Sequence, residues 1–91
     1  MEVVFATFGS GLSHDEIERT MRRRAETFRE VEGLVQKYFV HDEDNDQYGA
    51  FFIFDSPDSR DAYFESDLSA GVGEAYTIEG GADVTTAHLM Y

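Results

Sequence analysis

The chain has 91 residues, which predicts a single domain over residues 1–91, because so short a chain cannot bury two hydrophobic cores. Eight Phe and five Tyr within a hydrophobic fraction of 42% predict a folded protein, and the absence of cysteine excludes disulfides, thiolate catalysis and cysteine-bound metals. The net charge of −12, from 19 acidic against 7 basic residues, disfavours nucleic acids and anionic membranes as partners, because both present negative charge.

The first third of the chain predicts a strand and a helix. Residues 2–8 (EVVFATF) are β-branched and aromatic, which favours a strand, and a glycine-rich loop follows. Ser13 and Glu16 have the spacing of a capping box and open a helix of about 18 residues that ends at Gly33. One face of this helix is apolar, with residues at intervals of four, four and three: Ile17, Met21, Ala25 and Phe28.

The middle of the chain predicts a hairpin. Its strands, Leu34–His41 and Tyr48–Phe54, flank the acidic turn 42–47. The three aspartates of this turn have the spacing of the first three ligands of a calcium loop. However, Gln47 and Ile53 occupy the positions that require glycine and glutamate. No metal site is therefore expected there.

The last third predicts a second helix and a fourth strand. Ser56 is a suitable N-cap, and Pro57 suits the first helical position, where its missing N–H is not needed. The glycine-punctuated stretch 67–81 predicts a short irregular helical turn, and residues 82–91 (ADVTTAHLMY) predict the last strand. The order is β-α-β-β-α-β, which predicts a four-stranded antiparallel sheet with two helices.

Both faces of this predicted sheet are apolar. Alternation along the first strand places Val4, Ala6 and Phe8 on one face and Val3 and Phe5 on the other. Two helices cover only one face, so the other would be a large apolar patch on a monomer. We therefore predict a homodimer in which two sheets pack face to face.

The acidic residues are spread along the chain, and Lys37 is the only lysine. Such a composition is typical of proteins from salt-loaded cytoplasms, where dense counterions screen the repulsion, and it predicts a halophilic protein. An ordinary acidic protein with its charges on solvated faces is the alternative. No segment approaches the roughly 20 apolar residues of a membrane span, and the first apolar run is too short for a signal peptide. A cytoplasmic location is therefore expected.

Three segments carry a resemblance to a known family. They are residues 28–33 (FREVEG), residues 48–56 (YGAFFIFDS) and residues 59–63 (SRDAY). They resemble the helix–PGF–strand, GGxYLF and SxxAY patterns of the YdhR-like monooxygenases, a group within the dimeric α/β-barrel superfamily that includes the antibiotic-biosynthesis-type monooxygenases. The resemblance implies an α+β, ferredoxin-like βαββαβ split fold with two helices on one face of the sheet.

The resemblance also implies a pocket between the sheet and the helices that suits a small apolar or aromatic molecule. Some members of the superfamily oxidise such molecules with no metal or other cofactor, because the substrate carbanion itself reduces dioxygen. Heme degradation is disfavoured, because the Asn, Trp and His of that branch fall on Val4, Tyr63 and Gly73. The alternative to a monooxygenase is a non-catalytic ligand-binding or structural dimer module on the same scaffold.

Five residues are candidates for the site. We predict His88 and Tyr63 as catalytic, the first as a base and the second as a hydroxyl that hydrogen-bonds an enolate oxygen. His88 is expected to be buried in the last strand, and a core or interface histidine is the alternative role. Tyr38, His41 and Tyr48 are predicted to line the substrate pocket, with half-buried aromatics or a solvated histidine as the alternatives. A cavity on the order of several hundred Å³ would favour an enzyme over a module with a filled core.

Overall fold

The computed structural model describes residues 1–91 and contains four strands and four helices. The strands are β1 (Glu2–Ser10), β2 (Leu34–Asp42), β3 (Gln47–Phe54) and β4 (Ile78–His88). The helices are α1 (His14–Phe28), α2 (Pro57–Phe64), α3 (Asp67–Ala70) and α4 (Val72–Ala75). All strand pairs are antiparallel, in the order β2-β3-β1-β4, which confirms the predicted α+β split fold. None of the helices has the length and apolar character needed to cross a membrane.

The two longest helices begin where their caps predict. Ser13 Oγ accepts a hydrogen bond from the Glu16 amide at 3.2 Å, and the Glu16 carboxylate accepts one from the Ser13 amide at 3.2 Å. Ser56 Oγ likewise accepts from the Ser59 amide at 3.1 Å, and Pro57 occupies the first turn of α2. Each cap satisfies backbone donors that the first helical turn leaves unpaired.

The end of α1 differs from the prediction. The helix stops at Phe28, five residues before Gly33, because the amides of residues 29–31 bond to carbonyls three residues back and tighten the chain into turns. Gly33 still has the left-handed φ of +80° that favours glycine. A Cβ at this position would collide with the Ser59 hydroxyl of α2, so glycine is also needed for the packing of that helix.

The last strand also differs, since it covers Ile78–His88 and not 82–91. Gly80 and Gly81 have φ angles of +73° and +80° and form a bulge, which lets the pairing with β1 continue back to Ile78. The strand ends at His88 because that residue pairs with Glu2, the first residue of β1. Residues 89–91 therefore lie beyond the sheet.

The helices cover one face of the sheet, which we call the inner face. The larger of its two core clusters contains six buried residues: Val4, Phe28, Ala50, Phe52, Phe54 and Tyr63. The opposite, outer face is also apolar, as the alternation predicted, and no element of the chain covers it. The side chains of Val3, Phe5, Phe51 and Ile53 pair across β1 and β3 on this face, and Phe5 is 42% exposed.

Candidate functional site

A cavity of about 360 Å³ lies between the inner face of the sheet and the helices. Most of its lining is hydrophobic, with sheet residues that include Val4, Ala6, Phe8, Phe39, Ala50 and Phe52. Met21 and Phe28 of α1 and Phe64 of α2 form part of its wall. The cavity opens at the edge of the sheet, because the lining residue Val84 of β4 is 52% exposed.

The polar groups of the cavity are few and carry no negative charge. They belong to Arg24, Lys37, Tyr63, Ser69 and Tyr76. None of the 19 acidic residues of the chain lines the cavity. The site therefore combines two basic side chains with hydroxyl groups in an apolar enclosure.

Lys37 extends from β2 into a cluster of three phenylalanine rings. Its Nζ lies 2.9 Å from the centroid of the Phe28 ring, 4.1 Å from that of Phe39 and 4.9 Å from that of Phe52. No carboxylate forms a salt bridge with it. Burial, and to a smaller extent the positive charge of Arg24, lowers the pKa of Lys37 from 10.5 to about 6.

The aromatic rings attract an ammonium ion, but they replace only part of the hydration that it loses on burial. With a pKa of about 6, most Lys37 side chains carry a neutral amine at pH 7. A neutral amine has a free lone pair. Lys37 is therefore able to accept a proton in this cavity.

Arg24 and Tyr76 place unpaired donors in the same wall. The Arg24 guanidinium lies 5.8 Å from the centroid of the Phe28 ring and 5.7 Å from that of Tyr76, and its Nη2 donates to the Leu68 carbonyl at 3.0 Å. Arg24 Nε and the Tyr76 hydroxyl are buried and have no hydrogen-bond partner within the protein. Buried donors are nearly always paired, so these two are available to an acceptor on a ligand.

Tyr63 is the buried tyrosine of α2 and lines the cavity. Its ring packs against Phe28, Phe52 and Phe54, with centroid separations of 5.9, 5.3 and 5.7 Å. Burial raises the pKa of Tyr63, although a hydrogen bond with Ser69 and the positive charge of Arg24 offset part of this effect. The hydroxyl therefore stays protonated at neutral pH and can donate a hydrogen bond.

Of the five predicted site residues, only Tyr63 lines the cavity. His88 is not buried as expected, because it ends the edge strand β4, which the helices do not cover, and its side chain is 78% exposed. Its Nδ1 lies 2.5 Å from the Glu2 carboxylate. Tyr38 lies on the outer face, because the alternation of β2 turns its neighbour Lys37 inward.

His41 and Tyr48 form a separate cluster at the end of the β2–β3 hairpin. Their rings stack with centroids 4.3 Å apart and planes inclined by 6°. The Tyr48 hydroxyl lies 2.9 Å from Nδ1 of His14. Neither His41 nor Tyr48 is among the residues that line the cavity. The structure therefore does not bring these residues together with Tyr63.

Four polar residues of the cavity were missed by sequence reasoning: Lys37, Arg24, Ser69 and Tyr76. For Lys37 a signal was present, because alternation along β2 places it on the same face as Phe39. A lone lysine on the inward face of an aromatic strand is unusual enough to mark a site. Arg24 is one of five arginines in residues 19–29, and nothing in the sequence distinguishes it from its exposed neighbours.

The family described as "Putative mono-oxygenase ydhR" matches residues 3–79 of the chain. No curated protein matches it. Among solved structures, the chain is similar to a protein of unknown function, NE2512, from Nitrosomonas europaea. The TM-score is 0.81 and the identity 12%, over 99% of this chain and 89% of that one.

Two further solved structures resemble the chain. One is described as a putative antibiotic biosynthesis monooxygenase from Deinococcus radiodurans, with a TM-score of 0.78 and 9% identity over 100% of this chain and 94% of that one. The other is SnoaB, a cofactor-independent oxygenase from Streptomyces nogalater, with a TM-score of 0.76 and 17% identity over 99% and 94%. At identities of 17% or less, the similarity to these three structures shows only that they share the fold of this chain.

Proposed function

The chain belongs to the ydhR family of mono-oxygenases, and from this membership we propose that it is a cofactor-independent monooxygenase of a small apolar or aromatic molecule. The observation that carries the proposal is the cavity of about 360 Å³ on the inner face, which is apolar but holds proton-transfer groups. Such a cavity suits a substrate that is activated by loss of a proton. SnoaB, which shares the fold, is a cofactor-independent oxygenase, so this scaffold is compatible with the proposed reaction class.

The proposed reaction converts a CH₂ group beside a carbonyl or an aromatic ring into a carbonyl. A base removes one proton, and the electron pair of the broken C–H bond remains on the substrate as an enolate. The enolate gives one electron to dioxygen, and the resulting radical and superoxide combine to form a C–O bond. Loss of water then breaks the O–O bond, so one oxygen atom remains in the product and the other leaves as water with the two hydrogens.

The residues of the chain act on the first of these steps. The Tyr63 hydroxyl donates a hydrogen bond to the oxygen that becomes negative in the enolate. The phenylalanine rings hold the flat substrate and exclude water, which strengthens the electrostatic interactions inside the cavity. Orientation of the substrate against the base supplies the remainder of the rate enhancement.

Oxygen uptake with a panel of anthrone-like and quinol substrates tests this proposal. Tyr63→Phe removes only the hydroxyl and should lower the rate by about 10²-fold, as loss of an oxyanion donor does. Tyr91→Phe is the matched control, because Tyr91 is fully exposed at the end of the chain. Absence of uptake across the panel, with a folded protein, would contradict the proposal and favour a non-catalytic binding module.

We also propose that the protein is a homodimer joined through the outer face. Phe5 pairs with Phe51 on this face, with ring centroids 6.3 Å apart, and Tyr38 on β2 is 55% exposed. A second copy of the same apolar surface would bury these rings.

Light scattering should then give twice the subunit mass of 10.3 kDa. Phe5→Asp should abolish the dimer or cause aggregation, because an unpaired charge at the interface costs several kcal/mol. Thr27→Asp on the exposed side of α1 is the control and should leave the dimer intact. A well-behaved monomer of the parent chain would refute this assembly.

A further inference from the structure

The charge of the inner cavity is opposite to that of the protein. The chain carries a net charge of −12, yet the cavity is lined by the basic side chains of Lys37 and Arg24 and by no acidic residue. Both contact the ring of Phe28, and neither forms a salt bridge with a carboxylate. The protein itself thus provides no counter-charge for this pair. A ligand with a negative oxygen would provide it and would also accept hydrogen bonds from the unpaired donors of Arg24 and Tyr76.

We propose that Lys37 is the base of this site and that Arg24 binds the resulting anion, so that the cavity takes up an apolar acid and holds it as its anion. The inference rests on the proposed function, because it assigns the base that oxygenation requires. The ligand class is a phenol or a carbon acid, such as a hydroxyaromatic or 1,3-dicarbonyl compound. Its hydrocarbon part would contact the phenylalanine rings around Lys37, and its oxygen would pair with Arg24.

The step is a simple proton transfer. The O–H or C–H bond of the ligand breaks, and its electron pair remains on the ligand. The lone pair of Lys37 Nζ forms the new N–H bond, so the amine becomes an ammonium ion and the ligand an anion. No oxidant takes part in this step. The ammonium ion then has the counter-charge that the lining of the cavity does not provide, and the surrounding rings also favour it.

The groups around Lys37 explain why its amine becomes protonated only when a ligand is bound. The charged or titratable groups that share the cavity are Arg24 of α1, Tyr63 of α2 and Tyr76 after α4, while β2 and β3 bring only phenylalanine rings close to the amine. Arg24 is positive and disfavours a second cation. Burial keeps both tyrosines neutral. Only the arriving ligand introduces a negative charge, which raises the pKa of Lys37.

Lys37 also has a second approach from solvent. A second cavity, of about 360 Å³, lies between α1 and the start of β2 and is lined by Lys37, Phe28 and Phe39 as well as by Arg29. Lys37 therefore borders both cavities. Solvent on the α1 side provides a path by which Lys37 returns its proton after each turnover.

The titration of Lys37 tests the proposal directly. Because Lys37 is the only lysine, protein labelled with ¹³C at the lysine Cε gives a single lysine resonance. We expect this resonance to titrate near pH 6 in the free protein. Addition of 4-nitrophenol, with dioxygen excluded, should move the midpoint upward by at least one pH unit. A midpoint near the ordinary value of 10.5 in the free protein, or no movement with the phenol, would overturn the proposal.

The absorption of the same probe reports the state of the ligand, because ionised 4-nitrophenol absorbs at longer wavelength than the neutral phenol. On the acid side of the free phenol's titration, the protein should produce the band of the ionised form. Lys37→Met and Arg24→Met should each weaken this binding at least tenfold. Arg19→Met removes an exposed cation of α1 and should bind as the parent does. Binding of the neutral phenol, or no binding, would overturn the proposal.

Two further results separate this inference from the proposed function. Lys37→Arg introduces a permanent positive charge that does not release its proton, so it should bind the ionised phenol yet lose oxygen uptake. Oxygen uptake by a parent protein that does not ionise the phenol would refute the base and leave the proposed function standing. Ionisation of the phenol without uptake of oxygen from any substrate would support the base and refute the monooxygenase.

Discussion

Replacement of Lys37 by methionine should stabilise the protein at neutral pH. The pKa of Lys37 is about 6 in the folded chain and 10.5 when the side chain is solvated, so the unfolded chain binds this proton more tightly. A difference of this size corresponds to about 6 kcal/mol when it is fully expressed. Residual solvent contact and the attraction of the rings reduce it, so we expect a gain of about 2–3 kcal/mol at pH 7.

The gain should depend on pH in a defined direction. Below pH 6 the amine is protonated in both states, and the folded chain bears the full cost of a buried ammonium ion. Between pH 6 and 10.5 this cost falls as the pH rises, because fewer unfolded chains hold the proton. The difference between Lys37→Met and the parent should therefore be largest at low pH and shrink toward pH 10.5.

Urea unfolding followed by circular dichroism measures this difference at a series of pH values from 6 to 10. Protein concentration and salt are held constant, because assembly makes the apparent stability depend on both. Arg19→Met is the control, since loss of this exposed cation should change the free energy of unfolding by no more than about 0.5 kcal/mol. A methionine variant that is less stable than the parent at pH 7, or a difference that does not shrink with pH, would refute the reasoning.

Three other predictions concern stability. Glu2 is 3% exposed and its carboxylate lies 3.1 Å from the Arg60 guanidinium. Glu2→Gln should therefore lower the free energy of unfolding by about 3–5 kcal/mol, measured by thermal unfolding. Asp61→Asn, at the exposed partner of Arg60, should lower it by less than about 1 kcal/mol. Equal losses in the two variants would contradict a buried ion pair. Gly33→Ala should cost more than about 1 kcal/mol, because φ is +80° and the added Cβ meets α2, whereas Gly73→Ala meets no neighbouring atom. The melting temperature of the parent should rise between dilute buffer and about 1 M KCl as the Debye length falls, and a constant value would refute the high-salt interpretation of the composition.

Local features of the sequence determined the order of the elements and the faces of the strands. The caps at Ser13 and Ser56 and the alternation along β1 and β3 depend only on residues a few positions apart, so they can be interpreted without the fold. The same alternation placed Val4 and Phe5 on opposite faces of the sheet, and the structure buries Val4 and leaves Phe5 42% exposed. Tyr63 was a candidate because its hydroxyl can hydrogen-bond an enolate oxygen in the pocket that the family resemblance implies.

Only the tertiary structure decided which inward side chains form the core and which line a cavity. The cluster around Lys37 takes Phe28 from α1, Phe39 from β2 and Phe52 from β3, and no local pattern predicts that these rings meet around one amine. For His88 the local pattern predicted burial, but the residue lies at the end of an edge strand that no helix covers, and its side chain is 78% exposed. Burial sets the pKa of an amine and the availability of a base, and burial depends on contacts between residues that are far apart in the chain.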